Sequence, residues 1–154
     1  LFVMKRAWRI VKEKQAVTAF DGEGARLYGG RWNSTGTRMV YTSGSLSLAA
    51  LESLVHLNPP LKLKYVAIPI EFDDALMEII HIGTLPARWT EAPPPPSTRL
   101  IGDRWVREAR SPVLELPSVI IRTEPNYLLN PAHPDFKGIH IGKPVPFAFD
   151  PRLL

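Results

Sequence analysis

Short apolar segments separated by turn-forming residues dominate the chain, and this pattern is typical of β-strands. Wherever apolar residues instead recur three and four positions apart, the pattern indicates a helix. The sequence predicts strands over Met4–Val11, Met39–Thr42, Lys64–Phe72, Leu76–Ile82, Val113–Leu116, Val119–Arg122, Ile139–Ile141 and Val145–Phe149.

Two helices are predicted among these strands. The first runs from about Leu46 to Leu57, with Ser43 or Ser45 as its N-cap, and ends at Asn58-Pro59-Pro60. The second begins after Ser97 or Thr98 and continues to about Arg110. Its inward face is expected to carry Leu100, Ile101, Trp105 and Val106.

Glycine and proline divide the chain into two parts. Residues 1–58 contain no proline, and residues 21–38 read as a glycine-rich loop around Arg31-Trp32-Asn33. The run Pro93–Pro96 predicts a polyproline II spacer or surface loop, and an SH3-type ligand is a minor alternative. Two helices among many short strands, without regular βαβ alternation, predict a single compact α+β domain rather than a Rossmann sheet.

Composition narrows the class of protein. The 154 residues fit one domain, expected over 4–154, with residues 1–3 a cloning remnant or part of an upstream start. The absence of cysteine excludes disulfides, zinc ribbons and thiol catalysis, and the four histidines lack metal-ligand spacing, so no metal site is predicted. With no membrane-length apolar run and no secretory signal, the expected location is the cytoplasm.

Glu52 is the most informative residue for chemistry. It is the only formally charged residue between Met39 and Leu61, and it lies in the middle of an apolar helix. A buried, unpaired carboxylate costs several kcal/mol. Glu52 therefore either faces solvent, pairs with an arginine from elsewhere in the chain, or lines a cleft, where it can stabilise developing positive charge or orient a hydroxyl.

Two arginines and a tyrosine complete the early candidates. Arg31 follows Gly29-Gly30, where the backbone can approach a ligand closely, and a guanidinium suits bidentate phosphate recognition. Arg9 lies in an apolar strand, and Tyr41 can offer a ring for stacking. Arg31 and Tyr41 also have structural interpretations. Arg31 would be an arginine on an edge strand after a turn, and Tyr41 would be a residue of the hydrophobic core.

Taken in order, several segments resemble the RES-domain toxins of bacterial toxin–antitoxin pairs. The matching segments are Trp8-Arg9-Ile10, Gly29-Gly30-Arg31-Trp32-Asn33, Val40-Tyr41-Thr42-Ser43, the helix Ala49–His56, Leu116-Pro117-Ser118, and Asn126–Pro134. Each motif alone is weak, whereas their order and spacing together are specific.

The resemblance implies a fold similar to ADP-ribosyltransferases and cleavage of the nicotinamide–ribose bond of NAD⁺, with NAD⁺ as substrate and no cofactor. It implies that Glu52, Tyr41 and Arg31 form the catalytic group. Arg9 and Arg31 would hold the pyrophosphate and Tyr41 would stack on nicotinamide. Ser118, with Asn130 behind it, would hydrogen-bond nicotinamide or ribose, and Ser111 remains the alternative serine. The implied partner is a helix-turn-helix antitoxin of the Xre type that covers the cleft.

Three alternatives remain open at this level. The same residues would serve a protein ADP-ribosyltransferase that modifies a specific target. The net charge of +4 and the four tryptophans permit a nucleic-acid-binding module. The basic residues are scattered, however, and this chain alone is not expected to bind nucleic acid directly. A non-catalytic family member that still binds an antitoxin is the third.

Overall fold

The computed structural model describes residues 3–56 and 63–153. Its strands are β1 (Met4–Lys12), β2 (Val40–Ser43), β3 (Tyr65–Asp73), β4 (Met77–Ile79), β5 (Val113–Pro117), β6 (Pro125–Leu129), β7 (His140–Ile141) and β8 (Val145–Phe147). Its α-helices are α1 (Glu23–Tyr28), α2 (Leu46–Leu54) and α3 (Pro96–Arg107). Short 3-10 turns cover Glu13–Thr18, Asp74–Leu76, Ile82–Thr84, Phe136–Gly138 and Pro151–Leu153.

All eight strands belong to one sheet, in the order β4-β5-β6-β2-β1-β3-β7, with β8 also pairing with β3. The long antiparallel pair β1–β3 runs from Met4 opposite Asp73 to Lys12 opposite Tyr65. Only β4 and β5 pair in parallel among the described strands, with α3 as the crossover between them. The structure therefore confirms the α+β class and is not a Rossmann sheet.

Apolar side chains fill both faces of this sheet. One cluster includes Ala7, Val40, Phe72 and Leu129. A second cluster, beneath α3, includes Trp32, Trp89, Trp105, Leu114 and Leu128. The expectation that Leu100 faces inward is wrong, because its side chain is 56% exposed. The buried Gly102 lies close to the main chain of Trp32 instead, so α3 packs tightly against the segment that follows Gly30.

The largest error of the sequence prediction concerns the strand at the centre of the sheet. A strand was expected over Val119–Arg122, but these residues form bends and a turn. The strand is β6, whose residues Tyr127–Leu129 are buried between β2 and β5. The turn-forming pairs Asn130-Pro131 and His133-Pro134 follow directly, so the local pattern favours a loop, whereas a short apolar run such as Tyr127–Leu129 can be a fully buried strand.

Several boundaries also differ from the prediction. The loop predicted over residues 21–38 contains α1, because Gly22 and Gly29 adopt positive φ (75° and 70°) at the two ends of that short helix. α2 ends at Leu54, and the predicted stop at residues 58–60 lies outside the described residues. α3 begins at Pro96 without a side-chain cap, since proline is suited to the first helical position, and Thr98 instead bonds back to the Pro95 carbonyl.

Candidate active site

A cleft of about 1510 Å³ opens beside β1, β2 and α2, and is bounded by α1 and the segment before α3. Pockets for drug-sized ligands usually measure about 300–1,000 Å³, so this cleft has room for a ligand as large as a dinucleotide. Its lining includes Arg9, Arg31, Tyr41, Glu52, Arg99 and Asn126.

Helix α2 brings Glu52 to the cleft wall. Ser45 caps this helix by accepting a hydrogen bond from the Leu48 backbone N–H at 3.1 Å. Leu48 and Ala49 are buried on its inner face, and α2 packs on β1 and β2. Glu52 lies one turn after these two residues and is half-buried at the cleft.

Neutral side chains fix the Glu52 carboxylate in place. Its Oε1 accepts hydrogen bonds from Ser118 Oγ at 2.7 Å and from Asn126 Nδ2 at 2.8 Å. Asn126 Oδ1 in turn accepts from Ser43 Oγ at 2.8 Å. We call Ser43, Glu52, Ser118 and Asn126 the Glu52 network. Within the described residues Glu52 forms no ion pair and Oε2 accepts no hydrogen bond, so one carboxylate oxygen is left for a ligand.

Ser118 lies behind Glu52 and does not line the cleft. Its hydroxyl is fully buried, donates to Glu52, and accepts from the backbone N–H groups of Ile120 and Ile121 at 3.0 and 3.1 Å. One donor and two acceptor positions exhaust a hydroxyl. Ser118 therefore orients the carboxylate, a different position from the contact with nicotinamide or ribose that the resemblance implied.

Arg31 lies on the cleft with its guanidinium tied to main-chain carbonyls. Its Nη1 donates to the carbonyl oxygens of Trp89 at 2.9 Å and Glu91 at 2.7 Å. Burial lowers the pKa of Arg31, while the nearby charge of Glu52 opposes that shift. The cleft therefore holds an arginine and a carboxylate near one another.

Tyr41 supports the backbone around Arg31. Its hydroxyl donates to Asn33 Oδ1 at 2.6 Å and accepts from the Trp32 N–H at 3.1 Å. Burial raises the pKa of Tyr41 above its usual range, so the hydroxyl stays protonated at neutral pH. Gly30 is required here, because a Cβ at that position would approach the Tyr41 hydroxyl to 2.5 Å.

Arg9 lines the cleft, but its guanidinium is engaged within the chain. Its Nε donates to the Ala19 carbonyl at 2.7 Å and its Nη1 to the Tyr41 carbonyl at 3.0 Å. Burial lowers the pKa of Arg9 to about 10, with Asp21 opposing the shift. These contacts join β1 to β2 and to residue 19. Arg9 therefore stabilises the fold at the base of the cleft.

The structure does not bring Ser111 or Asn130 to the large cleft. Ser111 accepts from Trp105 Nε1 at 2.9 Å and donates to the Val113 carbonyl at 2.7 Å, which fastens α3 to β5. Asn130 is buried in the turn after β6, where its Oδ1 accepts from the Ala132 N–H, and it borders a separate, smaller pocket. Of the two candidate serines, Ser118 is therefore the one beside Glu52.

Asn126, Ser43 and Arg99 belong to the site but were not predicted as site residues. Asn126 and Ser43 lie opposite one another on β6 and β2, a register that requires β6 to be recognised as a strand. Arg99 lies in the first turn of α3, in the part of the chain with the least diagnostic motifs. Within residues 3–56 and 63–153 there is no group of three or more acidic or histidine side chains that could hold a metal, and no helix long and apolar enough to cross a membrane.

Comparison with known proteins places the chain in a family. The RES domain family model matches residues 6–150, so the chain belongs to the RES domain family. The "Prs ADP-ribosylating toxin" of Sphingobium sp. (strain YBL2) is 39% identical over 153 residues, covering 96% of this chain and 95% of that protein. The "Toxin Res" of Yersinia enterocolitica is 38% identical over 148 residues, covering 95% and 97%.

The fold is shared with a solved structure. A chain in the crystal structure of the M. tuberculosis MbcT–MbcA toxin–antitoxin complex superposes with a TM-score of 0.76, covering 96% of this chain and 86% of that one. The sequence identity is 13%, so this likeness defines the fold alone.

Proposed function

We propose that this protein is a toxin that cleaves the nicotinamide–ribose bond of NAD⁺, depletes the NAD⁺ pool and arrests growth until an Xre-type antitoxin neutralises it. The observation that carries the proposal is the Glu52 carboxylate, held at the wall of a dinucleotide-sized cleft by neutral donors. Family membership and relatives named as toxins support the same conclusion.

The geometry suits this bond cleavage. When the bond between nicotinamide nitrogen and ribose C1″ breaks, the electron pair leaves with nicotinamide, which departs as a neutral molecule and needs no general acid. The ribose becomes an oxocarbenium-like cation, as in glycoside hydrolysis. A fixed, unpaired carboxylate stabilises that cation, and its unengaged oxygen can accept a hydrogen bond from a ribose hydroxyl. An acceptor then bonds to C1″ and loses its proton.

The first experiment measures nicotinamide release from NAD⁺, with and without inorganic phosphate, for the wild type and for Glu52→Gln. Glutamine keeps an acceptor for Ser118 and Asn126 but removes the charge, so we expect turnover to fall by roughly 100-fold or more with an unchanged melting temperature. Glu115→Gln, on β5, is the matched acidic control outside the cleft. A Glu52→Gln protein that is folded and fully active would refute the mechanism.

A second candidate function is transfer of ADP-ribose to a protein. The Sphingobium relative, 39% identical over nearly the whole chain, is named as an ADP-ribosylating toxin. NAD⁺ labelled in its adenylate half separates the two functions in a cell lysate. Label that stays on one protein band indicates transfer, free ADP-ribose indicates hydrolysis, and ADP-ribose 1″-phosphate indicates phosphorolysis.

The rim of the cleft supports the proposed antitoxin contact. Leu27, Tyr28 and Val55 line the opening and are 50%, 84% and 61% exposed. Clustered exposed apolar side chains mark interaction surfaces. We expect the cognate antitoxin to stop nicotinamide release, and Val55→Glu to weaken that inhibition when each protein is compared with its own uninhibited rate. Equal inhibition of Val55→Glu and the wild type would remove the rim from the interface.

A further inference from the structure

We propose that Arg99 is a ligand of the substrate's pyrophosphate, forming with Arg31 a pair of guanidiniums that the segment 89–96 holds along one edge of the cleft. This inference rests on the proposed function and names the residues that bind the phosphate-bearing half of the substrate. We call Arg31, Arg99 and the segment 89–96 the arginine edge.

Main-chain carbonyls of one short segment anchor both guanidiniums. Arg31 Nη1 donates to the carbonyls of Trp89 and Glu91, and Arg99 Nη1 donates to the Pro94 carbonyl at 2.7 Å. The segment forms no strand pairing, so these carbonyls have no ladder partner. Residues 89–94 therefore present main-chain oxygen atoms to two arginines, and the Pro94 carbonyl within the proline run is the one that holds Arg99.

Packing of α3 brings the two arginines to the same edge. Gly102 lies against the main chain of Trp32, and Asp103 accepts a hydrogen bond from the Ser34 N–H at 2.9 Å. Arg31 directly precedes Trp32, and Arg99 lies about 4.5 Å before Gly102 along the helix axis. Both half-buried side chains line the large cleft.

Both arginines retain the means to bind an anion. Within the described residues neither forms an ion pair, and the hydrogen bonds that each donates there use Nη1 alone. Nε and Nη2 of each guanidinium are thus unused, and such N–H groups recognise phosphate oxygens in pairs. Arg9, by contrast, uses its Nε as well as Nη1 on carbonyls that link β1 to its neighbours, so its Nε and Nη2 are not both available to a phosphate.

The test measures binding of ADP-ribose and of adenosine to wild type, Arg99→Gln, Arg99→Lys and Arg104→Gln. Arg104 lies on another face of α3, outside the cleft, with its side chain 63% exposed, and serves as the matched control. For Arg99→Gln we expect ADP-ribose affinity to fall about 10- to 100-fold and adenosine affinity to stay the same. The ADP-ribose affinity of Arg99→Lys should lie between those of wild type and Arg99→Gln, and that of Arg104→Gln should stay within about two-fold of wild type.

Kinetics with NAD⁺ provide the second readout. Arg99→Gln should raise KM by a similar factor while kcat changes by less than about three-fold, because the contact forms equally in ground and transition states. ADP-ribose affinity of Arg99→Gln within about two-fold of wild type would overturn the inference, even if nicotinamide is released normally. Conversely, Arg99-dependent ADP-ribose binding without nicotinamide release under any acceptor condition would support the arginine edge and overturn the proposed function. A wild type that binds no ADP-ribose would overturn both.

Discussion

The two sides of the cleft hold their charged groups by different means. In the Glu52 network, uncharged side chains from β2, β6 and the residue after β5 fix the carboxylate by hydrogen bonds. At the arginine edge, main-chain carbonyls of a proline-rich segment hold the guanidiniums. The position of the carboxylate therefore depends on which side chains occupy three neighbouring positions, whereas the positions of the arginines depend on the path of the backbone.

This difference suits the proposed chemistry. A carboxylate that stabilises a short-lived cation must be placed accurately before the bond breaks, and the rigid centre of a sheet provides that accuracy. Phosphate groups are held equally before and after the reaction, so their arginines need correct position along the cleft more than fine orientation. Point substitutions in the Glu52 network should accordingly lower kcat, and those at the arginine edge should weaken substrate binding or folding.

The largest expected effect comes from the packing beneath the arginine edge. In Gly102→Ala the new Cβ would overlap the Trp32 carbonyl oxygen, and α3 could avoid this overlap only by moving away from the turn that contains Trp32. Overpacking of this severity costs about 3 kcal/mol or more. We expect a strong loss of soluble folded protein, or a melting temperature lowered by many degrees, in thermal unfolding followed by circular dichroism.

A matched glycine sharpens that result. Gly83 has nothing within 4 Å of the position of its Cβ, and so Gly83→Ala should melt close to wild type. Equal melting temperatures for Gly102→Ala and wild type would mean that α3 does not lie against Trp32, and the arrangement of the arginine edge would be wrong.

The next largest effect separates the two serines. Ser118→Ala removes one of the two donors to Glu52 Oε1, so we expect kcat to fall about 10- to 100-fold while KM for NAD⁺ changes little. Ser111→Ala removes the contacts with Trp105 and Val113 and should lower the melting temperature while kcat of the folded protein is retained. The reverse pattern, with kcat lost in Ser111→Ala and kept in Ser118→Ala, would contradict the placement of the Glu52 network.

The two sides also differ in how far sequence reasoning could predict them. Glu52 could be found from the sequence because it is the only formally charged residue in an apolar stretch of 23 residues, Met39–Leu61. Its partners Asn126 and Ser43 are brought together by the pairing of β6 with β2, a contact between residues 83 positions apart that no local pattern encodes. The misplaced strand at Val119–Arg122 hid this pairing.

The arginine edge was less accessible to prediction for a different reason. Its anchors are carbonyl oxygens, which every residue carries, so the residue types of Trp89, Glu91 and Pro94 give no indication of them. The proline run, predicted as a polyproline II spacer or surface loop, is irregular over residues 93–95, whereas Pro96 already begins α3. The contact of Pro94 with Arg99 arises from tertiary packing. The fold class, by contrast, followed from the balance of short strands and helices, which is a property of the whole chain.

The smallest expected effect concerns the support beneath Arg31. Tyr41→Phe leaves Asn33 Oδ1 and the Trp32 N–H without their partner and should lower the free energy of unfolding by about 1–2 kcal/mol at pH 8. Burial raises the pKa of Tyr41 in the folded protein, so its stabilising contribution is complete below the unfolded value of about 10 and is lost as the pH rises beyond it. Urea unfolding of both proteins should therefore show a difference that shrinks from pH 9 to pH 11. A difference that stays constant over this range would show that the Tyr41 hydroxyl ionises as readily as in the unfolded chain, and that it is not buried against Asn33.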